Sequence, residues 1–140
     1  MALLRMHVYT GDDALMKSAE RALKLFRDFI EKQPFAFSRM LEVVDLCLRG
    51  PVEIVIVGDR QSDELNGWLE RLGLRYLPNR ALFTVDSQTG TAGGFHGGFL
   101  PEQARGKTQV DGKLTGYVCR NFTCSAPQTS IEGLEAQLDN

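Results

Sequence analysis

Val52-Glu53-Ile54-Val55-Ile56-Val57, a β-branched run that ends in Gly58-Asp59, stands near the middle of the chain. Its almost continuous apolar character is typical of a strand that is buried on both faces, as in a parallel sheet. Ser62 is placed to cap a following helix of about ten residues, and residues 80–86 form the next predicted strand. This order of strand, helix and strand predicts a βαβ unit with a right-handed crossover.

The chain beyond this unit adds a third predicted strand, residues 114–119, and a final helix opened by the capping box Thr129-Ser130-Ile131-Glu132. Residues 87–112 between them are rich in glycine and lack periodicity, and connections this long are unusual in compact domains. Their glycines match neither the dinucleotide fingerprint nor a P-loop, so a connection is favoured over a nucleotide site. The segment either packs against other helices or is mobile.

The first third of the chain has helical periodicity instead. Residues 12–32 carry one apolar stripe after the start signal Thr10-Gly11-Asp12-Asp13, and residues 37–48 form a second helix that Gly50-Pro51 ends. The short connection predicts an antiparallel helical hairpin. The residues before position 12 resemble the last turns of another helix, so we expect the chain to begin inside a helical domain.

The predicted fold class is therefore α/β: a helical hairpin followed by a small, mainly parallel three-stranded sheet with covering helices. The predicted domains are residues 1–50, the terminal hairpin of a helical domain, and residues 51–140, a small α/β domain. Because the outward stripe of the hairpin would be apolar and exposed, we expect the isolated chain to self-associate as a homo-oligomer.

Composition narrows the classes of function. The chain has 140 residues, a formal net charge of −2 and mixed acidic and basic residues, so it lacks the concentrated basic surface that nucleic-acid binding needs. No apolar run approaches the roughly 20 residues that span a bilayer. We expect a soluble, cytoplasmic protein without a nucleic-acid or membrane partner, and no residue pattern indicates a cofactor.

The three cysteines are Cys47, Cys119 and Cys124. Four residues separate Cys119 from Cys124, whereas two separate the cysteines of a thioredoxin-type pair. A structural zinc site needs four ligands, and no histidine stands at a suitable spacing, so we expect no metal. Two reduced, buried thiols are favoured. A redox-active pair and a Cys119–Cys124 bridge both stay open.

Three side chains stand at predicted carboxyl ends of strands, which is the edge where open parallel sheets bind ligands. They are Asp59, Asp86 and Cys119. They could form a small ligand pocket together with Asn121 and His96. The ordinary alternative is stronger, because Gly58-Asp59 and Asp86-Ser87 are also typical turn sequences. Trp68 lies on the same helical stripe as three leucines, which favours a core position over a stacking platform.

One block of the sequence is distinctive as a motif. It comprises Tyr117-Val118-Cys119, Asn121-Phe122, Cys124 and Pro127. With Gly50 to Gly58, Leu77-Pro78-Asn79-Arg80 and the generic helical part, nearly the whole chain resembles the C-terminal segment of thioredoxin-domain proteins related to spermatogenesis-associated protein 20.

The resemblance implies a domain context more than a reaction. Members of that family carry an N-terminal thioredoxin-like domain, then an (α/α) barrel similar to six-hairpin glycosidases and sugar epimerases, then a segment like this one. No catalytic residue transfers to any position of this chain, because the thioredoxin-like active site would lie upstream. A non-catalytic accessory segment, with the rest of the polypeptide as its partner, is the first expectation. An auxiliary dithiol at Cys119 and Cys124 and a carbohydrate-related role are the alternatives.

Overall fold

The computed structural model describes residues 1–92, 101–121 and 123–139 and divides the chain into two compact units, Met1–Pro51 and Val52–Asn140. The His96 candidate and the glycines of positions 93–98 lie outside the described residues. Among the helices that are described, none combines the length and the apolar character needed to cross a membrane.

The N-terminal unit is helical. Its elements are α1 (Ala2–Thr10), α2 (Asp13–Lys32), a 3-10 turn (Pro34–Phe37) and α3 (Ser38–Arg49). The two predicted helices are confirmed to within one or two residues, and α1 is a helix of nine residues. Its core is the small cluster of Leu4, Ala19, Val43 and Leu46.

Much of the apolar surface of this unit is not covered. Phe35 is 96% exposed, and the rings of Phe26, Phe29 and Phe37 form a cluster with centroids 6.2 to 6.4 Å apart, of which Phe29 stays largely exposed. An exposed aromatic group of this kind is a common feature of interaction surfaces. The predicted exposure of an apolar stripe on the hairpin is therefore present in the structure.

The C-terminal unit is an α/β layer. Its elements are β1 (Val52–Gly58), α4 (Asp63–Leu74), β2 (Arg80–Asp86), a 3-10 turn (Glu102–Ala104), β3 (Thr115–Arg120), β4 (Thr123–Cys124) and α5 (Ile131–Leu138). The sheet order is β2-β1-β3-β4. Among the described strands, β1 and β2 are parallel, β3 runs antiparallel to β1, and β4 runs antiparallel to β3.

The α/β class is therefore correct, whereas the mainly parallel, three-stranded sheet is wrong in detail. The sheet is mixed and has four strands. A parallel pair requires a crossover connection, usually through a helix. α4 supplies one between β1 and β2, but β3 enters the sheet from the opposite end. β4 was not predicted because two residues are too few to show an alternating pattern.

The two faces of the sheet are covered differently. α4 and α5 pack on the face of Ile54 and Ile56, where Trp68 is 4% exposed, so its predicted core position is confirmed. The other face carries Val55 and Phe83 and is covered by residues 101–113, which we call the covering segment. The described part of the long connection thus packs on the sheet of its own unit.

Candidate functional site

The structure brings two of the predicted ligand residues together. Asp59 and Asp86 stand at the adjacent carboxyl ends of β1 and β2, where Gly58 pairs with Asp86. Together with Arg60, Gln61 and Gln88 they line an open cleft of about 480 Å³. The ligand pocket was predicted at this edge, where the carboxyl ends of parallel strands lie.

Both carboxylates of this cleft hold the turns that follow their strands. Asp59 Oδ1 accepts a hydrogen bond of 2.8 Å from the backbone N–H of Gln61. Asp86 Oδ1 accepts bonds from the N–H groups of Thr89 at 3.0 Å and Gln88 at 2.8 Å. These backbone donors, Thr89 first, lower the pKa of Asp86, and the charge of Arg60 adds to the effect. The ordinary turn role therefore accounts for both residues, and ligand binding here stays a prediction.

Asn121 and Cys119 lie at the opposite end of the sheet. Because β3 is antiparallel to β1, its carboxyl end lies beside the amino end of β1, and Cys119 pairs with Glu53. The length of β1 separates the two ends by roughly 20 Å. Asn121 has a positive φ of 49° in the tight connection from β3 to β4, which is a turn role that asparagine tolerates well. The predicted pocket of Asp59, Asp86 and Asn121 is thus not assembled.

The end of the sheet that holds Cys119 contains a disulfide. Cys119 on β3 and Cys124 on β4 face each other directly in the antiparallel register and are joined, while Cys47 is free. The sequence favoured two reduced thiols and left the bridge open. The spacing of the two cysteines could not distinguish reduced thiols from a bridge. Whether the two sulfur atoms meet depends on the register of β4, a strand of two residues.

The two halves of the bridge differ in accessibility. Cys119 is 2% exposed and belongs to the core, whereas Cys124 is exposed. The hairpin does not depend on the bridge alone. Ser125 N–H donates to Val118 O at 2.9 Å, and Gly116 and Gln128 exchange two backbone hydrogen bonds. Backbone hydrogen bonds therefore hold β3 and the chain after β4 together beyond the bridge, on the side away from the turn.

A cavity of about 240 Å³ lies beside the disulfide, and its wall is formed by Glu53, Glu102, Gln103, Lys107, Cys119 and Cys124. Glu53 is 9% exposed. Burial raises the pKa of its carboxyl, and this rise is partly opposed by a hydrogen bond from the Gln103 side chain and by the charge of Lys107. Glu53 lies directly across the strand pair from Cys119.

Lys107 is the cation of this site. Burial lowers the pKa of its amine, and Glu53 opposes that shift. Its Nζ lies 5.5 Å from the centroid of the Tyr117 ring, within the range of a cation–π contact. The Tyr117 hydroxyl donates a hydrogen bond of 2.7 Å to Thr108 O, which fastens the covering segment to β3. A carboxyl, an amine and a disulfide thus share one cavity.

Sequence reasoning did not single out Glu53, Gln103 or Lys107. The sequence does contain a signal for Glu53, because an ionisable residue inside a strand predicted to be buried on both faces requires polar partners. Gln103 and Lys107 had none, because they come from a segment without periodicity. Within the part of the chain that is described, no group of three or more histidine, cysteine or acidic residues could hold a metal ion.

Comparison with known proteins gives a partial relationship. The chain is 29% identical to human spermatogenesis-associated protein 20 over 127 residues. The aligned region covers 91% of this chain and 16% of the human protein. The mouse protein of the same name is 28% identical over the same length. No family model and no solved structure matches. The chain is thus homologous to part of a larger protein and spans about a sixth of the length of the curated relatives that it matches.

Proposed function

We propose that this chain is an accessory α/β domain of a larger protein and that Cys119 and Cys124 form an auxiliary thiol–disulfide couple within it. The observation that carries the proposal is the asymmetry of the bridge. One sulfur-bearing residue is exposed and the other is buried against a cavity that holds an ionisable pair. Disulfides with an accessible sulfur are the ones that exchange with thiols, whereas inert ones are buried.

A purely structural bridge is the competing function. The bridge closes a loop across only five positions of sequence. In the chain-entropy account, a closure this short contributes about 2 kcal/mol, at the low end for disulfides. The backbone pairing of the hairpin continues beyond it, away from the turn, through Val118 and Ser125 and through Gly116 and Gln128. A bridge in this position can open without releasing the chain, and that favours reversible exchange.

The wider context of the proposal comes from the resemblance to the thioredoxin-domain family. In that context the exchange partner would be a thioredoxin-like domain of the same polypeptide, and the helical unit would pack on a barrel through its exposed phenylalanines. Two observations support this domain context. The aromatic cluster of the N-terminal unit is uncovered, and the relatives are about six times as long as this chain.

Reduction of the folded protein by a small thiol tests the proposal. The chain is incubated with reduced glutathione, the thiols are blocked with N-ethylmaleimide, and the cysteine peptides are measured by mass spectrometry. We expect Cys119 and Cys124 to become labelled together while the far-ultraviolet circular dichroism is unchanged, and oxidised glutathione to restore the bridge. Cys47 serves as the internal reference, because burial raises the pKa of its thiol and slows its reaction.

The opposite result would assign the bridge a structural role. In that case Cys119 and Cys124 stay unlabelled until denaturant unfolds the C-terminal unit, and labelling then follows the unfolding transition.

A further inference from the structure

Glu53 occupies a position that the packing of the sheet does not explain. Its neighbours along the same face of β1 are Val55 and Val57, both almost completely buried. Glu53 is directly opposite Cys119 in the β1–β3 register, and Cys119 is directly opposite Cys124. The side chains of such cross-strand partners share one face, with Cβ atoms about 4.5–5.5 Å apart. The carboxyl therefore stands in line with the disulfide across three adjacent strands.

Thiol–disulfide exchange at this bridge would leave a charge in a buried place. A thiolate that attacks the exposed Cys124 sulfur expels Cys119 as the leaving group, and the leaving sulfur takes the electron pair of the broken bond. Cys119 is 2% exposed, so water cannot solvate the resulting anion well. An uncompensated buried charge is costly. A proton donor at the same site transfers that charge from the sulfur to its own carboxylate, and Glu53, whose carboxylate form Lys107 favours, is the acid that faces the leaving sulfur.

We propose that Glu53 is the proton donor and acceptor for the Cys119 sulfur during disulfide exchange, an inference that rests on the redox function proposed above. In the reducing direction an external thiolate forms a new S–S bond to Cys124 Sγ, and the Cys119–Cys124 bond breaks. The proton of the Glu53 carboxylic acid moves to Cys119 Sγ as this sulfur takes the electron pair. Glu53 becomes a carboxylate and regains a proton from solvent.

A second external thiolate completes the reaction. It attacks the external sulfur of the mixed disulfide and releases Cys124 as a thiolate, which the solvent protonates because this residue is exposed. The net change oxidises two external thiols to one disulfide and reduces Cys119 and Cys124 to thiols. In the oxidising direction the Glu53 carboxylate removes the proton from Cys119, whose thiolate then attacks the mixed disulfide at Cys124.

The groups around Glu53 are compatible with its role as a proton donor during reduction of the disulfide and as a proton acceptor during its oxidation. Gln103 and Lys107, both from the covering segment, lower the pKa of Glu53 and so favour its carboxylate form, against the effect of burial. Glu102 also lines the cavity, but its carboxylate is exposed and pairs with Arg105 at 3.1 Å. The partner of Glu53 on β2 is Ala81, which carries no charge. Because burial raises the pKa of Glu53, more of this carboxyl is in the acid form near neutral pH than for an exposed glutamate.

The pH dependence of reduction tests the role of Glu53. The rate of reduction by glutathione is measured by stopped-flow mixing across the pH range and divided by the concentration of glutathione thiolate. The corrected rate of the wild type should be highest where Glu53 is protonated and should fall as pH rises through its pKa. Glu53→Gln should remove this fall and lower the maximal rate about 100-fold, the usual contribution of a general acid. Glu102→Gln, the matched control in the same cavity, should keep both the rate and the profile.

Lys107→Met separates a proton donor from a merely structural glutamate. Loss of the cation should raise the pKa of Glu53 further and move the fall in rate to higher pH, without abolishing it. Two results would overturn the inference: a Glu53→Gln variant that is reduced at the wild-type rate, and a wild-type pH profile in which the corrected rate does not fall. The second result is independent of whether any variant folds. In both cases the wild-type bridge is still reduced in the folded protein. A wild-type bridge that no thiol reduces contradicts the proposed function instead.

Discussion

Cys119→Ser is expected to leave a single reactive thiol at Cys124 that forms a lasting mixed disulfide with glutathione. Cys124 is exposed, so its thiolate can attack oxidised glutathione and release one reduced glutathione, and the serine at position 119 cannot resolve the adduct. Cys124→Ser should leave Cys119 about 100-fold less reactive, because attack on a residue that is 2% exposed requires local opening. Intact-mass spectrometry after incubation with oxidised glutathione measures both variants.

Both variants are compared in a Cys47→Ser background, so that no other thiol contributes to the mass change. The assignment of roles fails if Cys119 forms the adduct as fast as Cys124. It also fails if neither does, since Cys124 would then be inaccessible to a small disulfide.

Trp68→Ala is expected to destabilise the C-terminal unit by about 3–5 kcal/mol, the usual cost of removing a large aromatic side chain from a core. Trp68 packs in the cluster that joins α4 and α5 to the sheet. The packing there leaves no spare room, since a Cβ at Gly116 would lie 3.1 Å from Trp68 Cζ3 and 2.8 Å from Leu134 Cδ1. Such a loss is a large part of the 5–15 kcal/mol that stabilises a typical small domain.

Urea unfolding followed by circular dichroism measures this effect, because Trp68 is the only tryptophan of the chain and its fluorescence is lost with it. Tyr76→Ala is the control, as this side chain is 90% exposed and its removal should change stability by less than about 0.5 kcal/mol. Equal unfolding curves for the two variants would mean that Trp68 does not anchor the core.

The local elements could be predicted because their signals are local. β2 was predicted at its observed bounds, α2 and α3 to within one or two residues, and the predicted cap at Ser62 accepts a backbone hydrogen bond from Leu65. The capping box predicted from Thr129 is shifted by one residue, since Ser130 caps α5 and accepts from Gly133 N–H. Helical and strand periodicity depends only on neighbours along the chain. The alternation of buried and exposed positions in these elements was therefore accessible from the sequence.

Strand direction was not accessible in the same way. A buried β-branched run is compatible with parallel and antiparallel neighbours, and the burial of β1 on both faces led to the prediction of a mainly parallel sheet. β1 in fact has one parallel neighbour, β2, and one antiparallel neighbour, β3. That single reversal moved Cys119 to the end of the sheet opposite Asp59 and Asp86, and so separated the residues of the predicted pocket.

The candidate site was only half predictable for the same reason. The residue type alone marks the cysteines as candidates, but which residue lies beside them in the site depends on the register between β1 and β3. Glu53 precedes Cys119 by more than sixty positions and meets it only through the β1–β3 pairing. Lys107 and Gln103 reach the cavity because the covering segment folds back on the sheet, a tertiary contact that leaves no pattern in the chain.

An equilibrium redox titration of the folded chain tests the central claim most directly. The fraction of bridged Cys119–Cys124 is measured by alkylation in dithiol buffers of graded potential. The account predicts one reversible two-electron transition with a potential above about −300 mV, the region of exchangeable rather than structural disulfides, with the helical circular dichroism unchanged throughout. A bridge that stays oxidised in every buffer, or one whose reduction unfolds the sheet, would contradict it.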